Sequence, residues 1–218
     1  MTDRRTLTPF GLAAPAIALS TLFLATLVDP QFSWARRSLS SMGEANGHGL
    51  FDLTSRDQLA FVLFNGGLVF GGLLGQPFAA RLWLDSENRY ERAGIVAFVV
   101  ALVAMSGVGV AYLDGPLNGL HFLAATTFFF VGTIALLCYG TGRVLAGASR
   151  VGLGTMWLGI GHLLVWVGWV VLEALAYTDD DVWTYFAVPE AVGAVAIGGW
   201  AGVTAWRLYR EEQTTVAR

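Results

Sequence analysis

Residues 93–113 read AGIVAFVVALVAMSGVGVAYL, twenty-one consecutive positions without a charged side chain. A helix rises ~1.5 Å per residue and the hydrocarbon core of a bilayer is ~30 Å thick, so ~20 apolar residues suffice to cross it. Charged residues bracket the stretch, with Glu87, Arg89, Glu91 and Arg92 before it and Asp114 after it. A lone segment of this kind must be helical, because only a helix satisfies its own backbone N–H and C=O groups inside hydrocarbon.

Five further stretches meet the same test, at approximately 9–28, 59–80, 119–139, 152–176 and 183–206. The 218-residue chain therefore reads as all-α, a polytopic integral membrane protein forming one transmembrane domain over 1–218, a bundle of about six helices. Composition agrees: 55% of residues are hydrophobic and 13% are charged, against roughly 25% charged in a soluble domain. The mean hydropathy is +0.59. All 13 cationic side chains are arginine and the net charge is −3, so no broad basic surface exists for nucleic acid. Cys138 is the one cysteine, which excludes an internal disulfide.

The first span follows Arg4 and Arg5 as a signal peptide would, but its apolar run is longer than the ~7–15 residues of a signal core. It is expected to be retained. Ten arginines lie at one set of span ends and only Arg36, Arg37 and Arg56 at the other, which predicts that both termini are cytoplasmic. The short outer turns 114–118 and 177–181 contain no basic residue. Trp34, Trp83, Trp183 and Trp206 fall near span ends, where an amphipathic ring favours the headgroup level.

The long outer loop, 29–58, is expected to fold onto the membrane, with 34–39 starting an interfacial helix and 43–49 a flexible turn. Thr54 and Asp57 have the spacing of a capping box opening the second span. A proline two residues into the run Val188-Pro189-Glu190 would kink the sixth. Gly67, Gly71 and Gly75, then Gly154, Gly161 and Gly168, then Ala194, Gly198 and Gly202 form small-residue stripes. Such stripes let helices approach within one bundle, and the alternative use is a homo-oligomer interface.

Polar groups inside hydrocarbon are costly, on the order of 2.5–3.5 kcal/mol for a charge at a helix centre. They are Asn65, Gln76, His121, His162, Glu173 and Glu190. At ~1.5 Å per residue, His121 and Glu173 lie roughly 3–5 Å from the outer ends and Asn65 and Glu190 roughly 10 Å. Asp114 and Asn118 stand just above. Three readings follow: a hydrogen-bonded pair of His121 with Glu173 or Glu190, steadied by Asn65; an outward-facing pocket of Asn65, His121, Glu190, Asn118 and Asp114 for a lipid headgroup or small polar ligand; or catalysis by His121 with Glu173 and Glu190, with or without a metal ion held by the same three. No nucleophile elbow, P-loop or dinucleotide fingerprint occurs. His162 lies too deep to share one haem iron with His121, and reads as a core histidine or as a proton relay with Glu173, eleven residues on.

The order of motifs, Ser40-Ser41-Met42-Gly43, Phe64-Asn65-Gly66-Gly67-Leu68, His121-Phe122-Leu123-Ala124-Ala125 and Pro189-Glu190, resembles the six-helix prokaryotic membrane proteins catalogued as domain of unknown function 998. Members often read Ser-x-Leu-Gly in the first loop, where this chain has Met42. That family is distantly similar to the Frag and DRAM membrane proteins, a resemblance that implies lipid handling and points to Asn65, His121 and Glu190. Expected is therefore a multi-pass protein of the cell membrane that binds or organises membrane lipid or a membrane partner, with no cofactor. The alternatives are a lipid-headgroup hydrolase or transferase, and third a transporter of small solutes or ions. A reporter fused after Arg218 should be active only when it reports a cytoplasmic position, and a cysteine placed at Asp179 should be labelled from outside intact cells. The opposite pattern in either assay would invert the topology.

Overall fold

The computed structural model describes residues 4–48, 53–176 and 183–216. The expectations for the 177–181 turn, for Gly49 and for Arg218 lie outside the described residues. Among those described, every regular element is helical: α1 (Phe10–Val28), α2 (Arg56–Asp85), α3 (Arg89–Val110), α4 (Asn118–Leu145), α5 (Ser149–Ala176) and α6 (Ala187–Val216), with 3-10 turns at Arg4–Thr6 and Leu39–Gly43. Six of these helices are long and apolar enough to cross a membrane.

Local chemistry sets the helix starts. The α2 cap is Ser55, whose hydroxyl accepts from the Gln58 N–H at 3.4 Å, so the predicted capping box at Thr54 is displaced by one residue. Asn88 caps α3, accepting from the Tyr90 and Glu91 N–H groups at 3.0 Å each. Helix α6 begins at Ala187 rather than at Trp183. Pro189 therefore lies in its first turn, where a missing N–H leaves no hydrogen bond unmade, and it opens the helix instead of bending it.

The helices form a closed ring in chain order, with α1 returning to α6. In α2, 56% of the most apolar window is buried, against 11% in α5, so α2 is central and α5 peripheral. Helix α5 leans on α4 and touches α6 much less. The glycine stripe of α2 is a seam inside the bundle: a Cβ on Gly71 would sit 2.7 Å from the Ala18 Cβ, and one on Gly75 would sit 2.6 Å from Leu102 Cδ2. Gly154, Gly161 and Gly168 of α5 have nothing within 4 Å of an added Cβ. Phe128 and Phe129 belong to the core, whereas Phe130 is exposed.

The arginine-rich end is tied by ion pairs. Buried Arg81 of α2 pairs with Asp85 and, at 3.1 Å, with Glu212 of α6; the Thr8 hydroxyl donates to the same Glu212 oxygen at 2.8 Å. Arg143 of α4 meets Glu87 at 3.3 Å and Glu91 of α3 at 3.5 Å. Removing one partner of a buried pair costs ~3–5 kcal/mol, because the other charge is stranded.

At the opposite end the first loop lies over the bundle instead of along the membrane surface. Residues 34–36 form a turn, and all five residues of Leu39–Gly43 are buried against α2, α1 and α6. The expected interfacial helix gives way because Ser38 and Ser41 bond their own backbone. The Ser41 hydroxyl donates to Ser38 O at 2.7 Å, and the Ser38 hydroxyl accepts from the Ser41 N–H at 3.2 Å. Local bonds of this kind compete with an α-helix. Gly71→Leu should lower thermal stability in detergent by the ~1–3 kcal/mol of an overpacked core, while Gly161→Leu should leave it unchanged. Equal effects would place the α2 stripe outside the packed seam.

Candidate functional site

Three side chains on different elements grip the backbone of the first loop. Glu190, in the first turn of α6, accepts from the Leu39 N–H at 2.5 Å. Asn65 of α2 donates through Nδ2 to Gly43 O at 3.1 Å. Asp114, between α3 and α4, accepts from the Ala45 N–H at 2.7 Å and the Asn46 N–H at 2.8 Å. A hydrogen bond contributes ~0.5–1.5 kcal/mol between neutral groups and ~1.5–3 kcal/mol to a charged one, and a buried group left without one costs ~1–3 kcal/mol.

Gly43 is required by this contact, because a Cβ there would lie 2.8 Å from Asn65 Oδ1 and 3.0 Å from the Phe64 ring. The loop then turns through Asn46 and Gly47, both in the left-handed region at φ 51° and 77°. From the other side, Arg37 donates to Ser41 O at 3.3 Å and to Glu44 at 3.1 Å. Burial pushes the Glu44 carboxyl above the ordinary carboxylate range, outweighing the opposing pull of Arg37.

The remaining polar residues do not join this grip. His121 donates from Nδ1 to Ala111 O at 2.8 Å, tying the start of α4 to the end of α3, and its buried Nε2 has no hydrogen-bond partner among the described residues. Both oxygens of Glu173 accept from the Thr184 N–H at 3.2 Å. The expected pairing of His121 with Glu173 or Glu190 is therefore not what forms, since each acid is held by a backbone amide. Asn118 is exposed at the first turn of α4. Among the described residues, no three His, Cys, Asp or Glu side chains stand close enough together to hold a metal ion.

His162 is bonded on both ring nitrogens. Trp166 Nε1–H donates to its Nε2 at 2.9 Å, so Nδ1 carries the proton and donates to the Thr133 hydroxyl at 2.8 Å. The Thr133 hydroxyl in turn donates to Phe129 O at 3.0 Å. This is a neutral core histidine linking α4 and α5, and Glu173 is bonded elsewhere.

Beneath the loop, a narrow cavity of about 80 Å³ runs down the bundle. Leu39, Ser40 and Glu190 line its upper end, while Gly11, Phe78 and Ala201 line it far below. Glu190 and Ala201 are eleven residues apart on α6, which is ~16 Å. Only Ser40 and Glu190 among its lining residues carry hydrogen-bonding side chains; Asn65, His121, Asp114 and Asn118 do not line it. Of the five pocket residues expected from the sequence, the cavity thus takes one. Among the lining that sequence reasoning missed are Pro15 and Leu19, where it reaches the α1–α6 seam. The signal for that seam was the stripe of Ala194, Gly198 and Gly202, since Gly198 faces Leu19 and Gly202 faces Pro15.

The chain matches, over residues 12–207, the family model described as "Protein of unknown function (DUF998)". It belongs to that family. The match runs from α1 into α6 and includes all three loop anchors and the cavity's upper end. No curated protein and no solved structure matches the chain. As a DUF998 member it is a membrane-spanning helical protein, and its motifs Ser40–Gly43 and Phe64–Leu68 meet in space at the contact of Gly43 with Phe64 and Asn65.

Proposed function

We propose that the protein binds a membrane lipid in the cell membrane, with its polar end beside Glu190 under the first loop and only the first few methylenes of one hydrocarbon chain entering the narrow central cavity. The observation that supports this is the cavity's lining. A space walled by apolar side chains stays dry and accepts hydrocarbon, and a few convergent polar groups at one end give a ligand its orientation. Glu190 and Ser40 are those groups. On this reading Asn65 and Asp114 hold the covering loop, while His121 fixes the α3–α4 corner and, with Asn118, stands at the polar rim. The arginine-poor end, where the polar end of the lipid would lie, is the external one.

Catalysis would require His121 to act with Glu173 or Glu190, and those three bind three separate backbone groups. Binding is therefore the reading the geometry supports best. The test is native mass spectrometry of detergent-purified protein, wild type beside Ala194→Phe, which fills the cavity, and Glu190→Gln, which keeps the shape and replaces the carboxyl by a carboxamide. Wild type should retain one lipid. Ala194→Phe should lose it by about tenfold or more in occupancy ratio, equivalent to ~1.4 kcal/mol, and Glu190→Gln should weaken it. Equal retention by wild type and a folded Ala194→Phe would overturn the proposal.

A further inference from the structure

A second space lies on the periphery of the molecule, between α5 and α6, and reaches the arginine-rich end. Helices α5 and α6 meet closely at Gly193, where a Cβ would sit 2.5 Å from His162 Nε2 and 2.7 Å from Phe129 Cδ1. Toward the arginine-rich end they part. Gly154 on one wall and Gly199 on the other have nothing within 4 Å of an added Cβ, and the cleft between them has a volume of about 560 Å³. That falls within the ~300–1,000 Å³ of ligand sites. Its lining on α6 extends from Ala191 to Arg207, sixteen residues or ~24 Å of helix. Leu158 and Val203 are typical of its apolar walls.

The mouth of the cleft is charged. Arg150, at the start of α5, and Arg207 of α6 both line it, and both are exposed. Among the described residues neither has a hydrogen-bonding or ion-pair partner, whereas Arg4, Arg81 and Arg143 at the same end are engaged by Asp85, by Asp85 with Glu212, and by Glu87 with Glu91. Trp206 and Tyr209 flank Arg207, stacked on each other at 6.1 Å and exposed, which sets this level at the headgroups. The positive end of the α5 dipole points the same way. Apolar walls at hydrocarbon depth and two free guanidinium groups at phosphate depth complement one kind of molecule.

We propose that the α5–α6 cleft binds an anionic phospholipid of the arginine-rich leaflet, its phosphate held by Arg150 and Arg207 and an acyl chain laid against Leu158 and Val203. The guanidinium fork matches phosphate oxygens in pairs, and basic pockets between transmembrane helices hold anionic headgroups on charge grounds alone. This site shares no lining residue with the central cavity.

The test titrates phosphatidylglycerol and phosphatidylcholine of identical acyl chains into detergent-purified full-length protein and counts bound lipid by native mass spectrometry. Wild type should bind phosphatidylglycerol about tenfold more tightly than phosphatidylcholine, a margin of ~1.4 kcal/mol. Arg150→Gln with Arg207→Gln should abolish that preference. Gly154→Leu with Gly199→Leu should do the same with the charges intact and with thermal stability retained, because both side chains enter open space. Arg210→Gln, which removes an exposed charge outside the cleft, and Ala194→Phe, which fills only the central cavity, should leave the preference in place. No preference in wild type, a preference surviving either double substitution, or an equal loss in Arg210→Gln would overturn the proposal. Loss of lipid in Ala194→Phe bears on the central cavity alone, so the two sites fail separately.

Discussion

A loop that crosses the end of an apolar bundle carries backbone N–H and C=O groups away from water, and each must find a partner or cost ~1–3 kcal/mol. That constraint organises the arginine-poor half of this protein. Leu39–Gly43 is buried and too short to satisfy itself as a helix, so α6, α2 and the α3–α4 turn supply the missing partners: Glu190 for Leu39, Asn65 for Gly43, and Asp114 for Ala45 and Asn46. Held there, the loop supplies Leu39 and Ser40 to the wall of the central cavity.

The fold was legible because membrane spans are read from length and missing charge, which need no knowledge of neighbours. What was not legible followed from local competition. The serines at Ser38 and Ser41 turned an expected interfacial helix into a 3-10 turn, Ser55 took the cap from Thr54, and Pro189 opened α6 instead of kinking it. Glycine stripes had one sequence signature and two fates, one buried between α1 and α3 and one facing open space on α5.

The candidate site was half legible for a similar reason. The cost of a polar group in hydrocarbon singled out Asn65 and Glu190, and position above them singled out Asp114. Their partners could not be read, because they are backbone amides and carbonyls 22, 151 and 69 residues distant. A backbone group has no sequence signature, so side-chain pairing with His121 was the natural expectation and backbone capture was the outcome. The Arg81–Glu212 pair, 131 residues apart, escaped notice likewise. The two ends now differ in kind: one is covered by a loop held through neutral and acidic side chains, the other is tied by arginine pairs and, among the described residues, leaves Arg150 and Arg207 unpaired at the cleft.

The central claim is that Glu190 is a loop anchor at the upper end of the central cavity. Hydrogen exchange of the Leu39–Gly43 amides, in wild type and in Glu190→Leu, measures that directly. The account predicts slow exchange in wild type and an acceleration of about tenfold or more in the variant, the loss expected of one buried hydrogen bond to a carboxyl group, with the α2 and α3 amides unchanged. Rapid exchange in wild type, or no acceleration when the carboxyl is removed, would contradict it.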